Sequence, residues 1–508
     1  MTAQPTPASP ASVTPTRPLT AWWPELIALV VFSALLVAGI LRHDMWFDEL
    51  QAWNIARSSR SLVDVVTQLR YEGHPILWYL PLYLLTRFTG DPRAMQALEL
   101  TIAIASVAMV LFRSPYARWL RITLCATYFL AFEYTVMSRS YGLGLLCFLV
   151  ALDLLARPTP RWRAGTVALV LLSWTSLFGA ALAGAVAVSL YVGSDAVPRV
   201  RWSRVDTPSR RLAAWVVVSC AAVAVSCIPP SDLASAGPAF GGDAVYLSGP
   251  LGRVLEGASF VWRGLAPVQF DGVWNTNVLN GSGARVLVAV ALGFVLAVLI
   301  ARGLAPTPLA VRMWVIGLGA LAVFFVVVVQ PTESRYTGYV ALVLLGATWF
   351  AAARDASWLA EVGSIPRVAL AIVLVAQLAA TVGALHFEGH RFAPNETLAR
   401  AAEARGVATR LVSSNDFLAM GVAAYVDHDV FSIAQHEWRR TYRFDVRQRK
   451  AELHMTYLEV WCPALQLARA SGAPAGVLTS WTGLGPPAAR VGAARLYLVE
   501  PDATIDGC

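Results

Sequence analysis

Apolar stretches of helical length recur along most of the chain, each bounded by Arg, Pro or Gly. About 20 apolar residues carry one helix across a bilayer core. The pattern predicts spans at 21–41, 94–112, 121–137, 141–156, 164–178, 179–193, 212–229, 284–302, 312–330, 339–353 and 367–386. The 164–193 stretch also fits one long tilted helix. A further apolar piece, His74 to Phe88, is short and carries Pro75 and Pro81.

Charge decides how that piece is threaded. Left outside as a re-entrant or interfacial helix, it puts the arginine-bearing loops on one side. These hold Arg113, Arg118 and Arg121; Arg157, Arg161 and Arg163; and Arg199, Arg201, Arg204, Arg210 and Arg211. Arg302 with Arg312 and Arg354 with Arg367 follow. Counted as a span, it moves at least the first two clusters to the other side. The positive-inside rule therefore predicts about eleven spans, with the N-terminus in the cytoplasm and the C-terminus outside.

Outside the spans, residues 1–20 are rich in Pro, Thr, Ala and Ser and read as a disordered cytoplasmic leader. The apolar stretch after them is too long for a signal peptide and stays as the first span. Within the transmembrane region, 21–386, two outward loops stand out: 42–93, with interfacial helices, and a Gly-rich loop, 230–283. Residues 387–508 alternate helix signals (396–405, 417–426, 455–470) with strand signals (408–413, 429–434, 476–481, 495–500). They read as a small extracytoplasmic α/β domain.

Composition agrees. Of 508 residues, 57% are hydrophobic and 14% charged, with mean hydropathy +0.56, whereas soluble domains run near about 25% charged. The net charge of +8 comes from arginines dispersed over short loops, without a compact basic domain, so nucleic acid is not an expected partner. Cys125, Cys147, Cys220 and Cys227 lie in apolar runs, as small core residues. Cys462 and Cys508 lie in the C-terminal segment and can pair if that segment is exported. Asn395-Glu396-Thr397 fits a glycosylation sequon, to which little weight attaches.

Chemistry-bearing residues concentrate at the outer end of the first span, where His43-Asp44-Met45-Trp46-Phe47-Asp48-Glu49-Leu50 opens the first loop. A partly desolvated carboxylate there is expected to have a raised pKa and greater basicity. That suits a group that takes a proton from an acceptor hydroxyl or holds a divalent ion. The structural alternative is an acidic helix start, Asp48 capping and Glu49 favouring the positive helix end. Further on come Glu72-Gly73-His74-Pro75, then Trp78, Tyr79 and Tyr83, which also suit an aromatic interfacial belt.

Two arginines stand at outer span ends, in Ser138-Arg139-Ser140-Tyr141 and Thr332-Glu333-Ser334-Arg335-Tyr336. An arginine on the side that the inside rule disfavours needs a partner. Phosphate is a natural one, because its oxygens accept a bidentate guanidinium. Snorkelling, or pairing with Glu133 or Glu333, is the alternative. Carboxylates, a histidine and two cations near lipid-phosphate depth fit an enzyme acting on a lipid phosphate. Ion transport would need acids deep in the spans, which hold few beyond Glu25, Glu99, Glu133 and Asp153.

The order of these motifs resembles the GT-C membrane glycosyltransferases, in particular the protein O-mannosyltransferase and aminoarabinose-transferase branch. Trp46-Phe47-Asp48-Glu49, Gly73-His74-Pro75 and Ser138-Arg139-Ser140-Tyr141 carry the resemblance. The tail from Ser413-Ser414-Asn415-Asp416-Phe417 to Val422-Ala423-Ala424-Tyr425 looks like the C-terminal domain of bacterial relatives. Ile76, where relatives often have a second Pro, and Glu99, where a basic residue is expected, depart from the pattern.

The resemblance implies transfer of a sugar from a polyprenyl-phosphate donor to a glycan, lipid or protein acceptor on the outer face of a bacterial inner (cytoplasmic) membrane. Asp48 would be the catalytic carboxylate and Glu49 its support. Arg139 or Arg335 would bind the donor phosphate, with His74, Tyr141 and Tyr336 in the substrate site. Asp48, Glu49 and His74 are the residues available should a divalent metal ion be needed. Two other readings remain: a flippase, polymerase or ligase component for lipid-linked saccharides, and a catalytically inactive scaffold presenting the C-terminal domain.

Overall fold

The apolar runs become helices. The computed structural model describes residues 22–192, 207–231, 247, 249–269, 274–279, 282–328, 334–388, 393–442, 455–482 and 485–508. The expected leader, Arg199, Arg201, Arg204, Glu333 and much of the 230–283 loop lie outside these. The first part of the chain forms α1 (Trp23–Arg42), α2 (Phe47–Ser58), α3 (Leu62–Glu72), α4 (Tyr79–Leu85), α5 (Arg93–Arg113), α6 (Arg118–Cys125) and α7 (Ser140–Leu155). Next come α8 (Trp162–Ser173), α9 (Leu177–Tyr191), α10 (Thr207–Ser226), α11 (Gly249–Ala258), α12 (Phe260–Leu265), α13 (Gly283–Leu304) and α14 (Pro308–Val323). The last are α15 (Ser334–Thr337), α16 (Tyr339–Arg354), α17 (Trp358–Glu361), α18 (Ser364–Glu388), α19 (Asn395–Ala404), α20 (Asp416–Val426) and α21 (Tyr457–Ser471).

Seven helices among the described residues are long and apolar enough to cross a membrane: Trp23–Arg42, Arg93–Arg113, Pro208–Ser226, Gly283–Leu304, Pro308–Val326, Ser334–Arg354 and Ser364–His386. The molecule is a helical membrane protein. The other expected spans are shorter helices, and 121–137 is not one rod. There α6 stops at Cys125 and a π turn follows at Phe129–Glu133. The 164–193 stretch is two helices, broken at residues 174–176, where the Ser176 hydroxyl accepts from the Gly179 N–H and caps α9. That break lies beside the first loop, since the Leu77 N–H donates to the Trp174 carbonyl.

In the His74–Phe88 piece, a 3-10 turn (Ile76–Trp78) leads into the seven residues of α4. At 1.5 Å per residue α4 is about 10 Å long, a third of a bilayer core. Trp78, Tyr79 and Leu82 bury instead against Leu50, Trp53 and Ile55 of α2, in a second apolar core beside that of the main bundle. Ala424 of α20 joins this core.

The C-terminal part has a six-stranded sheet: β1 (Leu411–Ser413), β2 (Val430–Ser432), β3 (Glu437–Arg439), β4 (Ala475–Thr479), β5 (Ala489–Val491) and β6 (Ala494–Val499), in the order β3-β2-β1-β4-β6-β5. β1 pairs parallel with β2 and β4, and the remaining pairs are antiparallel. Every expected helix and strand of this part is present. The short edge strands β3 and β5 were not foreseen; edge strands bury too little to show alternation. Cys462 and Cys508 form a disulfide.

Candidate functional site

The connector from α1 to α2 sets the site. Trp46 precedes α2, and Glu49 at the third helical position reaches back to accept from the Trp46 N–H (3.1 Å), the carboxylate half of a capping box. Asp48 and Glu49 are adjacent, so they point about 100° apart around the helix. Glu49 is fully buried; besides the cap, it hydrogen-bonds His43 Nε2 (2.8 Å) and accepts from the Ser138 N–H (2.6 Å). It thus ties α2 to the segment just before Arg139. Asp48 faces elsewhere, toward the two arginines.

Arg335 Nη1 lies 2.7 Å from Asp48 Oδ2, and Arg139 Nη2 lies 4.0 Å from the same oxygen. Arg139 also donates through Nη1 to the Asp48 carbonyl and through Nη2 to His74 Nε2 (3.0 Å). A guanidinium only donates, so His74 Nε2 accepts and the imidazole proton sits on Nδ1. Gly73, in the left-handed region at φ 66°, ends α3 and turns the chain toward His74. Arg335 lies 4.9 Å from the Trp46 ring centroid and 5.0 Å from that of Tyr336, a two-sided cation–π setting.

Asp48, His74, Arg139 and Arg335, far apart in the chain, are thus in one place, with Tyr336 against it. Tyr141 stacks on Tyr134 (5.6 Å) and meets Tyr336 edge-on (6.4 Å), while Tyr336 stacks on Phe178 (5.2 Å). An aromatic wall therefore adjoins the two cations. Arg139 and Arg335 are 5% and 6% exposed. Burying two cations is costly unless anions meet them, and among the described residues both pair with Asp48. Glu133 accepts from Tyr128 (2.6 Å) and Trp274 (3.0 Å).

Electrostatics reverse one expectation. Burial does push the Asp48 carboxyl up, but Arg335 and Arg139 outweigh it and hold it below the usual aspartate range. The Glu72 carboxyl does rise, to about 7, through burial and the Asp48 charge, against a hydrogen bond from Gln51 and the pull of Arg139. Burial and Arg139 hold the His74 imidazole down, to about 3, so it is neutral.

Glu49 does not join Asp48 and His74 around a common point, and among the described residues no group of three or more His, Cys, Asp or Glu is placed to hold a metal ion. The donor set expected for a divalent ion is therefore not assembled, because Arg139 takes His74 Nε2 and Glu49 serves the backbone. Asn395 is also accounted for: it is buried and donates to the Met45 carbonyl (3.1 Å).

Sequence reasoning missed Gln51 and left Glu72 without a role. The signal was present as a polar stripe at every third position of α2: Asp48, Gln51, Asn54 and Arg57. Successive residues three apart are neighbours on a helix surface, so the stripe winds round α2 from Asp48 to Arg57. Gln51 donates to Glu72 Oε1 (2.8 Å) and to the Tyr442 carbonyl (2.7 Å). Asn54 donates to the Met420 and Arg440 carbonyls, both 2.8 Å. Arg57 pairs with Asp427 (2.8 Å).

Comparison with family models, curated proteins and solved structures gives no match for this chain. Its class rests on the molecule itself: a helical membrane protein with a small sheet and a buried arginine–aspartate–arginine cluster at the end of its first long helix.

Proposed function

We propose that this protein is a glycosyltransferase that moves a sugar from a polyprenyl-phosphate donor to a hydroxyl acceptor at the outer surface of a bacterial inner membrane. The single observation that carries this reading is the convergence of Arg139 and Arg335 on Asp48. Two guanidiniums side by side and buried, that of Arg335 lying over the Trp46 and Tyr336 rings, suit a phosphate that gains charge as it leaves.

In the transfer, the anomeric C–O bond to phosphate breaks and its electron pair stays on the phosphate, held by the two arginines. The acceptor oxygen bonds to the anomeric carbon, and its proton passes to Asp48, the catalytic carboxylate. With the arginines alone beside it, Asp48 is a weak base. A phosphate that draws the guanidiniums away restores its basicity, so donor binding and base activation are linked. Neutral His74 keeps Arg139 oriented. The Cys462–Cys508 disulfide fits a C-terminal domain in an oxidising, extracytoplasmic compartment.

The test is Asp48→Asn in membranes supplied with a panel of polyprenyl-phosphate-linked hexoses and pentoses. Transfer is expected to fall about 100-fold or more at unchanged protein level. Normal transfer by that variant would overturn Asp48 as base.

A further inference from the structure

The polar stripe of α2 does more than fasten two parts of the chain together. Gln51 is 2% exposed, and its carboxamide is fully engaged. Its Oε1 accepts from the Tyr442 N–H (3.0 Å), while Nε2 donates to the Tyr442 carbonyl (2.7 Å) and to Glu72 Oε1 (2.8 Å). The amide cannot be turned round, because the backbone N–H of Tyr442 requires an oxygen and the other two partners require hydrogens. A glutamate of the same length would set a charge against the Tyr442 carbonyl and the Glu72 carboxylate. A leucine would leave all three partners unmet in a buried place.

Tyr442 is itself held on its other side. Its ring stacks on Phe417 (4.6 Å, 18°), and Phe417 packs on Phe47 (4.6 Å), the residue before Asp48. The same short stretch of the C-terminal domain therefore touches both the start of α2 and, through one amide, the Glu72 carboxylate, two residues before the His74 that meets Arg139. Asn54 and Arg57 fix the rest of α2 to this domain but hydrogen-bond no group of the site.

We propose that Gln51 is a positioning residue through which the seated C-terminal domain holds the Glu72 carboxylate beside Asp48 and Arg139, so that the site is complete only when that domain is docked. In its catalytic consequence this rests on the sugar-transfer reading above; in its geometry it does not. The domain thereby acts on the reaction without supplying a reacting group, and a displaced domain leaves the Gln51 amide free to turn away from Glu72. Small displacements at a reacting centre are enough to matter, since about 1 Å of misplacement costs about 100-fold in rate.

Two measurements on the full-length protein test this. In the transfer assay, Gln51→Leu is expected to lower kcat about 10- to 100-fold and to leave donor KM within about 2-fold, because Arg139 and Arg335 stay in place. The double variant with Glu72→Leu should be no slower than Glu72→Leu alone. Additive losses, or a loss carried by KM, would show that Gln51 only stabilises the fold. Should Gln51→Leu not accumulate, Gln51→Asn takes its place; one methylene shorter, it reaches Tyr442 or Glu72 but not both.

The second measurement needs no substrate. Hydrogen exchange at the Tyr442 amide, in detergent-solubilised protein, is expected to quicken about 5-fold or more in Glu72→Leu, although Glu72 bonds Gln51 and not the domain. Unchanged exchange there overturns the link. Quickened exchange in a protein that transfers no sugar from any donor keeps the link and discards the transferase reading.

Discussion

The helical bundle and the seam between α2 and the C-terminal domain are both buried, yet they are held by different forces. The bundle core around Leu145, Phe148, Leu152 and Trp349 is apolar and aromatic, and such contacts are non-directional. The seam and the capping turn next to it are fastened by Glu49, Gln51, Asn54 and Arg57, each meeting partners in one geometry. Apolar packing asks for volume, whereas a buried polar side chain asks for specific atoms. The chemistry sits on the polar side of this divide, at the end of α2, where directional contacts can hold charged groups in place.

The sharpest way to break the comparison is at Glu49. Glu49→Leu keeps much of the volume but strands the Trp46 and Ser138 N–H groups and His43. We expect a loss of about 3–5 kcal/mol, measured as a lower unfolding temperature in detergent and a poor yield of folded protein. A variant as stable as the parent would mean that the capping turn is not fixed by this carboxylate.

The bundle should respond far less to a swap of similar volume. Leu145→Met, in the fully buried core, is expected to cost under about 1.5 kcal/mol. A loss equal to that of Glu49→Leu would erase the distinction drawn between the two regions.

The smallest effect concerns pH. Burial acts to raise the Asp427 carboxyl, but Arg57 and Arg440 outweigh it and hold it below its usual range. A depressed carboxyl contributes stability above its unfolded pKa and loses it as pH falls through the folded value. Because its side chain is 41% exposed, the contribution is screened and worth under about 1 kcal/mol. Asp427→Asn should therefore melt slightly below wild type at about pH 6, and the gap should close as pH falls below the usual aspartate range. A gap that widens on acidification contradicts the pairing.

Much of this was legible in the chain. Apolar runs located the helices, and the arginine bias put His74 to Phe88 outside the bundle, which is what brought Asp48, His74, Arg139 and Arg335 into one expected site. The C-terminal helices and strands followed from local patterning. Less legible was the fate of two neighbouring acids: nothing local says that Glu49 turns inward to Ser138 while Asp48 turns to Arg335, 287 residues away. The sign of the Asp48 shift was unreadable for the same reason, since it depends on which of burial and two distant cations is stronger.

By itself, then, the sequence determined the class of molecule, the placement of its long apolar helices and the residue types that follow the first of them, because hydrophobic length acts through solvent and needs no partner. Only the tertiary structure decided that the Asp48 carboxyl is held low between two arginines, that the Glu72 carboxyl is raised, and that Gln51 joins the C-terminal domain to Glu72. Those outcomes depend on distances between groups remote in the chain, and both Coulomb energies and hydrogen bonds are set by distance and direction.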